Sequence, residues 1–255
     1  MSKLILFDVD GTLAESGQMI NDEMRDMLIS KKTQGYEIGV VGGGKIDKVL
    51  NQLNGVSMSH YFTECGCVYH VIKDGNTSSN SISLVNQLSL KYTKNIRDHE
   101  LYPQINKLVK RCLQFLSKVD YIITGHFIDL RNGIIYISLI GMTATLKERE
   151  VFKILDAEHE YRKRLIYALK QDLTKMGIKD RICVYEGGQV GIAIFPREYD
   201  KVQVLPEVLE KYEEIHYFGD KYEENGNDCI IINDPSVHGH PVFSPQTTLN
   251  ILSTM

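Results

Sequence analysis

Lys3-Leu4-Ile5-Leu6-Phe7-Asp8-Val9-Asp10-Gly11-Thr12 is the stretch on which the reading of this chain turns. Leu4 to Phe7 is an apolar run of strand length, the pattern of a strand buried on both faces in a parallel sheet. It ends in two aspartates one residue apart and a Gly-Thr turn. Open α/β sheets bind ligands beyond the carboxyl ends of their strands. Asp8 and Asp10 would therefore set two carboxylates and several backbone N–H groups around one point. That suits Mg²⁺, which takes carboxylate, water and phosphate oxygens. It also offers a carboxylate nucleophile able to form an aspartyl-phosphate. Taken alone, the motif is equally a polar loop closing a strand, with Asp10-Gly11 as a turn.

A distant second cluster tips that balance. Ile215-His216-Tyr217-Phe218 runs into Gly219-Asp220-Lys221, and Gly226-Asn227-Asp228 precedes Ile230-Ile231-Ile232. Again a short apolar strand delivers a carboxylate to a glycine turn, as expected when neighbouring parallel strands assemble one Mg²⁺ site. Between the clusters, Ile20, Met24, Met27 and Leu28 recur at helical spacing after Asn21, a cap candidate. Ile38 to Val41 reads as a second buried strand running into Gly42-Gly43-Gly44-Lys45, a turn whose N–H groups could approach a phosphate. Tyr61-Phe62 and Val68 to Ile72 read as strands, and Asp74-Gly75 as a hairpin turn.

Residues 76–83 read as a boundary loop, and the βα alternation lapses after it. Residues 84–197 then form an inserted α+β domain, and 1–83 with 198–255 form the core. In the insert, a helix is expected over 102–117, with Pro103 in its first turn. A hairpin is expected at Arg131-Asn132-Gly133, and a second around Gly187-Gly188. Helix is expected over 148–176 with an interruption near Asp156-Ala157, and another over 199–212 despite Pro206.

The 255 residues are 43% hydrophobic, enough for one large or two modest cores. A net charge of −4 argues against nucleic-acid and membrane-surface partners. Five cysteines at irregular spacing suit reduced thiols in a cytoplasmic setting, with Cys65 and Cys67 as small core residues. No targeting segment or membrane span is expected.

Asp-Val-Asp-Gly-Thr with the late Gly-Asp-Lys and Gly-Asn-Asp resembles the haloacid dehalogenase superfamily of phosphotransferases. Gly39-Val40-Val41-Gly42-Gly43, Phe127-Ile128-Asp129-Leu130-Arg131-Asn132-Gly133, Gly187-Gly188-Gln189 and Phe218-Gly219-Asp220-Lys221 narrow the resemblance to eukaryotic-type phosphomannomutases. It is nearly collinear from Leu4 to about Pro245. It implies an α/β fold, a Rossmann-like haloacid dehalogenase core with an inserted α+β cap domain.

The same resemblance implies Asp8 as nucleophile and Asp10 as general acid/base. Asp8 would stay ionised beside the metal while Asp10 could hold a proton. Mg²⁺ would be held by Asp8, the Asp10 carbonyl and Asp220, with Asn227 and Asp228 behind these ligands. Lys201 would neutralise the phosphoryl oxygens. Gly43 and Gly44 would line the phosphoryl pocket. Arg131 and Arg149 would grip the distal phosphate of a phosphorylated hexose. A homodimer through the inserted domain is also implied.

This chain departs from the family at substrate-facing positions. Gly17 stands for an arginine, Gly44 for a serine, Met142 for an arginine, and Gly191 and Ala193 for a serine and an aspartate. Lost hydroxyl and phosphate partners should redirect sugar recognition. The sequence is thus read as a mutase interconverting hexose 6-phosphate and 1-phosphate, mannose above all. A Mg²⁺-dependent phosphatase of the same chemistry is the alternative. A catalytically idle homologue is a third reading, and clustered, mutually repelling carboxylates argue against it.

Overall fold

The computed structural model describes residues 2–73, 86–223 and 226–255. The expected hairpin turn at Asp74-Gly75, the loop 76–83 and the boundary at 83/84 lie outside these residues. The chain divides into two compact units, Met1–Lys94 with Lys201–Met255, and Asn95–Asp200.

The first unit is built on a seven-stranded sheet. Its strands are β1 (Lys3–Phe7), β2 (Tyr36–Val41), β3 (His60–Thr63), β4 (Val68–Ile72), β5 (Leu88–Thr93), β10 (Glu214–Gly219) and β11 (His238–Pro241). Their order is β11-β10-β1-β2-β3-β4-β5. β11, β10, β1, β2 and β3 run parallel, and β4 and β5 close the far edge antiparallel. β5 was expected in the inserted domain. It belongs to this sheet because its backbone completes the β4 ladder.

Because β1 is apolar at every position from Leu4 to Phe7, it buries both faces. Ile5 and Phe7 pack with Met24 and Leu28 of α1 (Asp22–Thr33) and with Leu249 and Leu252 of the last helix, Pro245–Thr254. Leu4 and Leu6 pack with Tyr217, Val204, Leu205, Val208 and Ile231 on the other side. Asn21 caps α1 as its position suggests, accepting from Met24 N at 2.8 Å. The continuous helix expected over 199–212 is instead 3₁₀ turns at Arg197–Tyr199 and Lys201–Val204 and a short helix, Pro206–Leu209. Asp200 is extended at ψ 162°. Pro206 lacks the N–H that a continuing helix needs and sits instead at a helix start.

The second unit has a four-stranded antiparallel sheet, β6 (Ile128–Leu130), β7 (Ile135–Ser138), β9 (Gly191–Pro196) and β8 (Ile182–Gly187), in the order β6-β7-β9-β8. Ile135, Ile137, Val184, Ile192 and Ile194 bury one face against α3 (Tyr102–Leu116), α4 (Leu146–His159) and α5 (Tyr161–Lys175). α3 carries the proline in its first turn. The interruption expected near Asp156 comes at Glu160, which is left-handed at φ 52°. Asp156 defines the new start by accepting from Arg162 N at 2.8 Å and Arg162 Nε at 2.6 Å.

Candidate active site

The parallel register brings the two acidic clusters together. Phe7 pairs with Phe218, and Asp8 N donates to Phe218 O at 2.9 Å. The residues following each strand, Asp8 and Asp220, therefore emerge side by side. Gly11, at φ +89°, closes the turn beneath them, and a Cβ there would stand 2.6 Å from Asp220 Oδ2. Only glycine leaves room for that carboxylate.

Lys201 is the buried hub. Its ammonium, with the residue 1% exposed, donates to Asp8 Oδ1 at 2.6 Å and to Asp228 Oδ1 at 2.6 Å. Tyr217 OH donates to the same Asp228 oxygen at 2.5 Å, and Lys221 N donates to Asp228 Oδ2 at 3.0 Å. Asp220 pairs with the Lys221 ammonium. Burial pushes the Asp8 carboxyl up to about 7, Lys201 opposes that, and Asp228 and Asp220 add to it. Burial likewise raises Asp220, with Lys221 opposing. Burial alone would lower Lys201, but Asp228 and Asp8 hold it well above the ordinary lysine range.

Asp8, Asp220 and Asp228 each turn one oxygen toward a common point, all within 4.8 Å of one another. Three hard oxygen donors in one acidic cradle fit a divalent cation. Asn227, next to Asp228 in the chain, has a buried Oδ1 with no hydrogen-bond partner among the described residues. Asp228, expected behind the ligands, thus stands among the converging carboxylates.

Asp10 stands apart from the cradle. Its carboxylate is not among the convergent oxygens; it accepts from Gly17 N at 2.8 Å, from Gln52 Nε2 at 2.8 Å and from the Lys48 ammonium. Burial would raise its pKa, but the Lys48 charge, that hydrogen bond and the Gly17 and Gln52 donors outweigh it and hold Asp10 low. With protein charges alone, Asp8 is the raised carboxyl and Asp10 the lowered one, while the expected division is one drawn for Asp8 beside the metal. Lys48, Gln52 and Tyr217 were missed in the sequence; Lys48 and Gln52 share one face of α2 (Ile46–Gln52) at i, i+4, a spacing that could have flagged them.

Gly43 and Gly44 follow β2 as expected, and Glu64 N donates to Gly44 O at 3.1 Å. The atoms nearest a Cβ at Gly44 belong to the side chains of Lys48 and Val49, the closest being Lys48 Cδ at 3.2 Å, so a serine there asks the flexible Lys48 chain to shift by a few tenths of an ångström. In the second unit, Arg131 Nε donates to Asp129 Oδ2 at 2.6 Å, and its guanidinium lies 5.4 Å over the Tyr136 ring. Arg149 is tied to its own helix entry, donating to Ala144 O at 2.9 Å and Met142 O at 2.6 Å. Tyr136 donates to Gly187 O at 2.8 Å. Burial raises its hydroxyl pKa against the charges of Arg131, Arg149 and Arg162. Tyr136 also explains Gly191: a Cβ there would lie 2.6 Å from the Tyr136 ring and 2.3 Å from Ile137 O. The family's serine has no room on this backbone.

An aspartate at the carboxyl end of a central parallel strand, a buried lysine against it, and acidic groups from the neighbouring strand define the haloacid dehalogenase class. Solved structures agree on the fold. ATP-bound IMP-nucleotidase of Plasmodium falciparum superposes with TM-score 0.70 at 16% identity, covering 99% of this chain and 60% of that one. The trehalose-6-phosphate phosphatase C-terminal domain of C. albicans gives 0.60 at 14% identity, covering 99% and 92%.

A family profile described as eukaryotic phosphomannomutase matches residues 24–255. Phosphomannomutase 1 of Dictyostelium discoideum is 36% identical over 99% of this chain and 96% of its own length. The phosphomannomutase of Saccharomyces cerevisiae is 35% identical over 99% and 93%. The chain belongs to the eukaryotic phosphomannomutase family, whose members are phosphotransferases acting as isomerases. No helix among the described residues is long and apolar enough to cross a membrane.

Proposed function

We propose that this chain interconverts hexose 6-phosphate and hexose 1-phosphate, mannose first, through an aspartyl-phosphate and a sugar bisphosphate. The observation that carries the reading is Lys201 held between Asp8 and Asp228 in a chain similar to phosphomannomutases along its whole length.

The free hydroxyl of a bound hexose monophosphate attacks the aspartyl-phosphate of Asp8, Asp10 takes its proton, and the acyl-phosphate P–O bond breaks to give the sugar bisphosphate and free Asp8. With the bisphosphate turned end for end, Asp8 Oδ attacks the other phosphorus as its ester P–O bond breaks, and Asp10 gives the proton to the departing sugar oxygen, which regenerates the aspartyl-phosphate and releases the isomeric monophosphate. To hold that proton Asp10 must leave Lys48, so release of that ion pair belongs to the cycle. Lys201 offsets charge on Asp8 and on the transferring oxygens. Asp8, Asp220 and Asp228 would hold the metal, Mg²⁺ by their oxygen chemistry, with the Asp10 carbonyl as a further oxygen and Asn227 behind it. Bound there, the ion would supply positive charge for the phosphoryl oxygens.

Arg131 and Arg149 would serve the distal phosphate. Arg149 would do so with a guanidinium already oriented by two carbonyls. We also propose a homodimer through the second unit, for which exposed Leu146 and Ile154 of α4 supply apolar surface; sedimentation velocity tests it. A phosphatase is the second reading, favoured by Gly191 and Ala193 where sugar-contacting side chains were expected, with Tyr136 in their place.

The test supplies mannose 1-phosphate, Mg²⁺ and a hexose bisphosphate activator, following mannose 6-phosphate and free phosphate together. Mannose 6-phosphate without phosphate release supports the mutase. Phosphate alone replaces it with the phosphatase.

A further inference from the structure

A group of three imidazoles lies on the adjoining strands β10 and β11, apart from the residues used above. Alternate residues of a strand share a face, and residues in register on adjacent strands face each other. His216 on β10 is in register with His238 on β11, and His240 follows two residues on. Three imidazoles therefore share one face at the open edge of the sheet. His216 Nδ1 lies 2.9 Å from His240 Nε2, and the His238 ring centroid is 5.0 Å from that of His216.

The surroundings prepare these rings as ligands. Glu214, two residues before His216, accepts from His216 Nε2 at 2.8 Å and is itself held by Lys3 at 2.8 Å. A carboxylate on one ring nitrogen fixes the tautomer and turns the other lone pair outward, the arrangement found behind metal-bound histidines. Here that lone pair, on Nδ1, points at His240. Phe218 stacks on His240 with centroids 4.3 Å apart and limits how that ring can turn. Burial lowers the pKa of both rings, His240 to about 4, so the neutral, ligating form prevails at neutral pH.

We propose that His216, His238 and His240 form a binding site for a borderline divalent transition metal such as Zn²⁺, with Glu214 as the carboxylate behind His216. Imidazole donors favour such ions over Mg²⁺. Nitrogens around a tetrahedral Zn²⁺ stand about 3.3 Å apart, so the His216–His240 pair must open by about half an ångström and each ring must turn its lone pair from the other ring toward the ion. The proton His240 now donates moves to its own Nδ1, leaving both facing nitrogens as donors to the ion. Exposed His238 turns in as the third ligand, and water completes the set. The nearest of the three, His240, is in register with Phe218, two residues of strand or about 7 Å from Asp220, so this ion is distinct from the one at Asp8. Bound, it would clamp the edge strand β11 to β10.

The experiment uses the full chain in saturating Mg²⁺, titrated with Co²⁺ as a spectroscopic probe and with Zn²⁺ in competition. One equivalent of Co²⁺ should bind with the intense visible bands of four-coordinate geometry, and Zn²⁺ should remove them. His238→Gln and His240→Gln should each weaken binding at least tenfold, and Glu214→Gln by about tenfold. Should His240→Gln fail to fold, exposed His238→Gln carries the test alone. The proposal is overturned if Co²⁺ does not bind in Mg²⁺, if the bands survive in the histidine variants, or if Asp220→Asn removes them instead.

Discussion

Replacing Lys201 with methionine isolates what the buried hub does. The ammonium is 1% exposed and bridges Asp8 and Asp228 at 2.6 Å each, so the substitution keeps length and removes the positive charge that bridges two buried carboxylates. Truncating one partner of a buried ion pair costs about 3–5 kcal/mol, because the remaining charge is stranded. For the first unit that is roughly 6–20 °C of melting temperature.

The pH dependence discriminates the cause. Asp8 already titrates near 7, and Lys201 is the group that opposes its rise. Without Lys201 its folded pKa lies higher still, while the unfolded chain releases the proton near 3.9. Between those values the folded state binds a proton that the unfolded state has lost, so stability falls as pH rises. The deficit of Lys201→Met relative to the parent should therefore be larger at pH 8 than at pH 6 in chelator, with a slope of at most about 1.4 kcal/mol per pH unit. Far-UV circular dichroism melts at the two pH values measure it. Added Mg²⁺ should raise the variant's melting temperature more than the parent's, since a cation replaces the missing charge. A deficit equal at both pH values, or none at pH 8, would refute the bridging role.

Lys48→Met removes the charge that holds Asp10 low, so the pKa assigned to Asp10 should rise and the acidic limb of the pH–rate profile move to higher pH; an unmoved limb would detach Lys48 from the chemistry. Gly11→Ala drives a Cβ into Asp220 at 2.6 Å and asks alanine to adopt φ +89°. We expect the Mg²⁺ requirement to rise at least tenfold by calorimetric titration, with about 1–3 kcal/mol lost in stability. Gly191→Ala meets Ile137 O at 2.3 Å and the Tyr136 ring at 2.6 Å. It should destabilise the second unit by about 1–3 kcal/mol in urea melts, and a silent substitution would mean that β7 and β9 yield more easily than their pairing suggests. Asp8→Asn should abolish turnover and phosphoenzyme labelling with the melting temperature retained, and full activity would remove Asp8 as nucleophile.

The catalytic end of the first unit was legible because strand and chemistry are written in the same residues. Leu4 to Phe7 and Ile215 to Phe218 are continuous apolar runs that only a doubly covered strand accommodates, and each ends on its carboxylate. β5 was not legible. Leu88-Ser89-Leu90-Lys91-Tyr92-Thr93 is an edge strand with half of its positions exposed, so its affiliation depends on a backbone ladder that sequence does not display. The state of Asp10 was hidden for a related reason. Its pKa is decided by Lys48, an exposed helix residue thirty-eight positions away in sequence, and such a residue ordinarily reads as a solvated charge. Tyr136 over Gly191 was invisible until register paired Tyr136 with Ala193 and brought the ring onto the neighbouring strand.

Charge balance sets a condition on any substrate at the acidic centre. Asp8, Asp220 and Asp228 face Lys201 and Lys221, leaving one uncompensated negative charge when all five groups are ionised. Burial is what chiefly drives Asp8 upward, and the neighbouring charges of Asp228 and Asp220 add to it against Lys201. A phosphomonoester arrives as a dianion, and transferring it unassisted into this cradle would gather three negative charges in a low-dielectric site, which is costly by any estimate of desolvation. Two routes relieve it: a divalent ion on the three carboxylates, or protonation of Asp8. Protonation disables the nucleophile, so only the first route lets substrate bind and Asp8 attack at the same pH. Substrate affinity and divalent ion should therefore be coupled, each raising the affinity of the other by the same factor. Calorimetry with mannose 1-phosphate across an Mg²⁺ series measures that factor; equal affinity with and without the ion would mean that the ester binds away from Asp8.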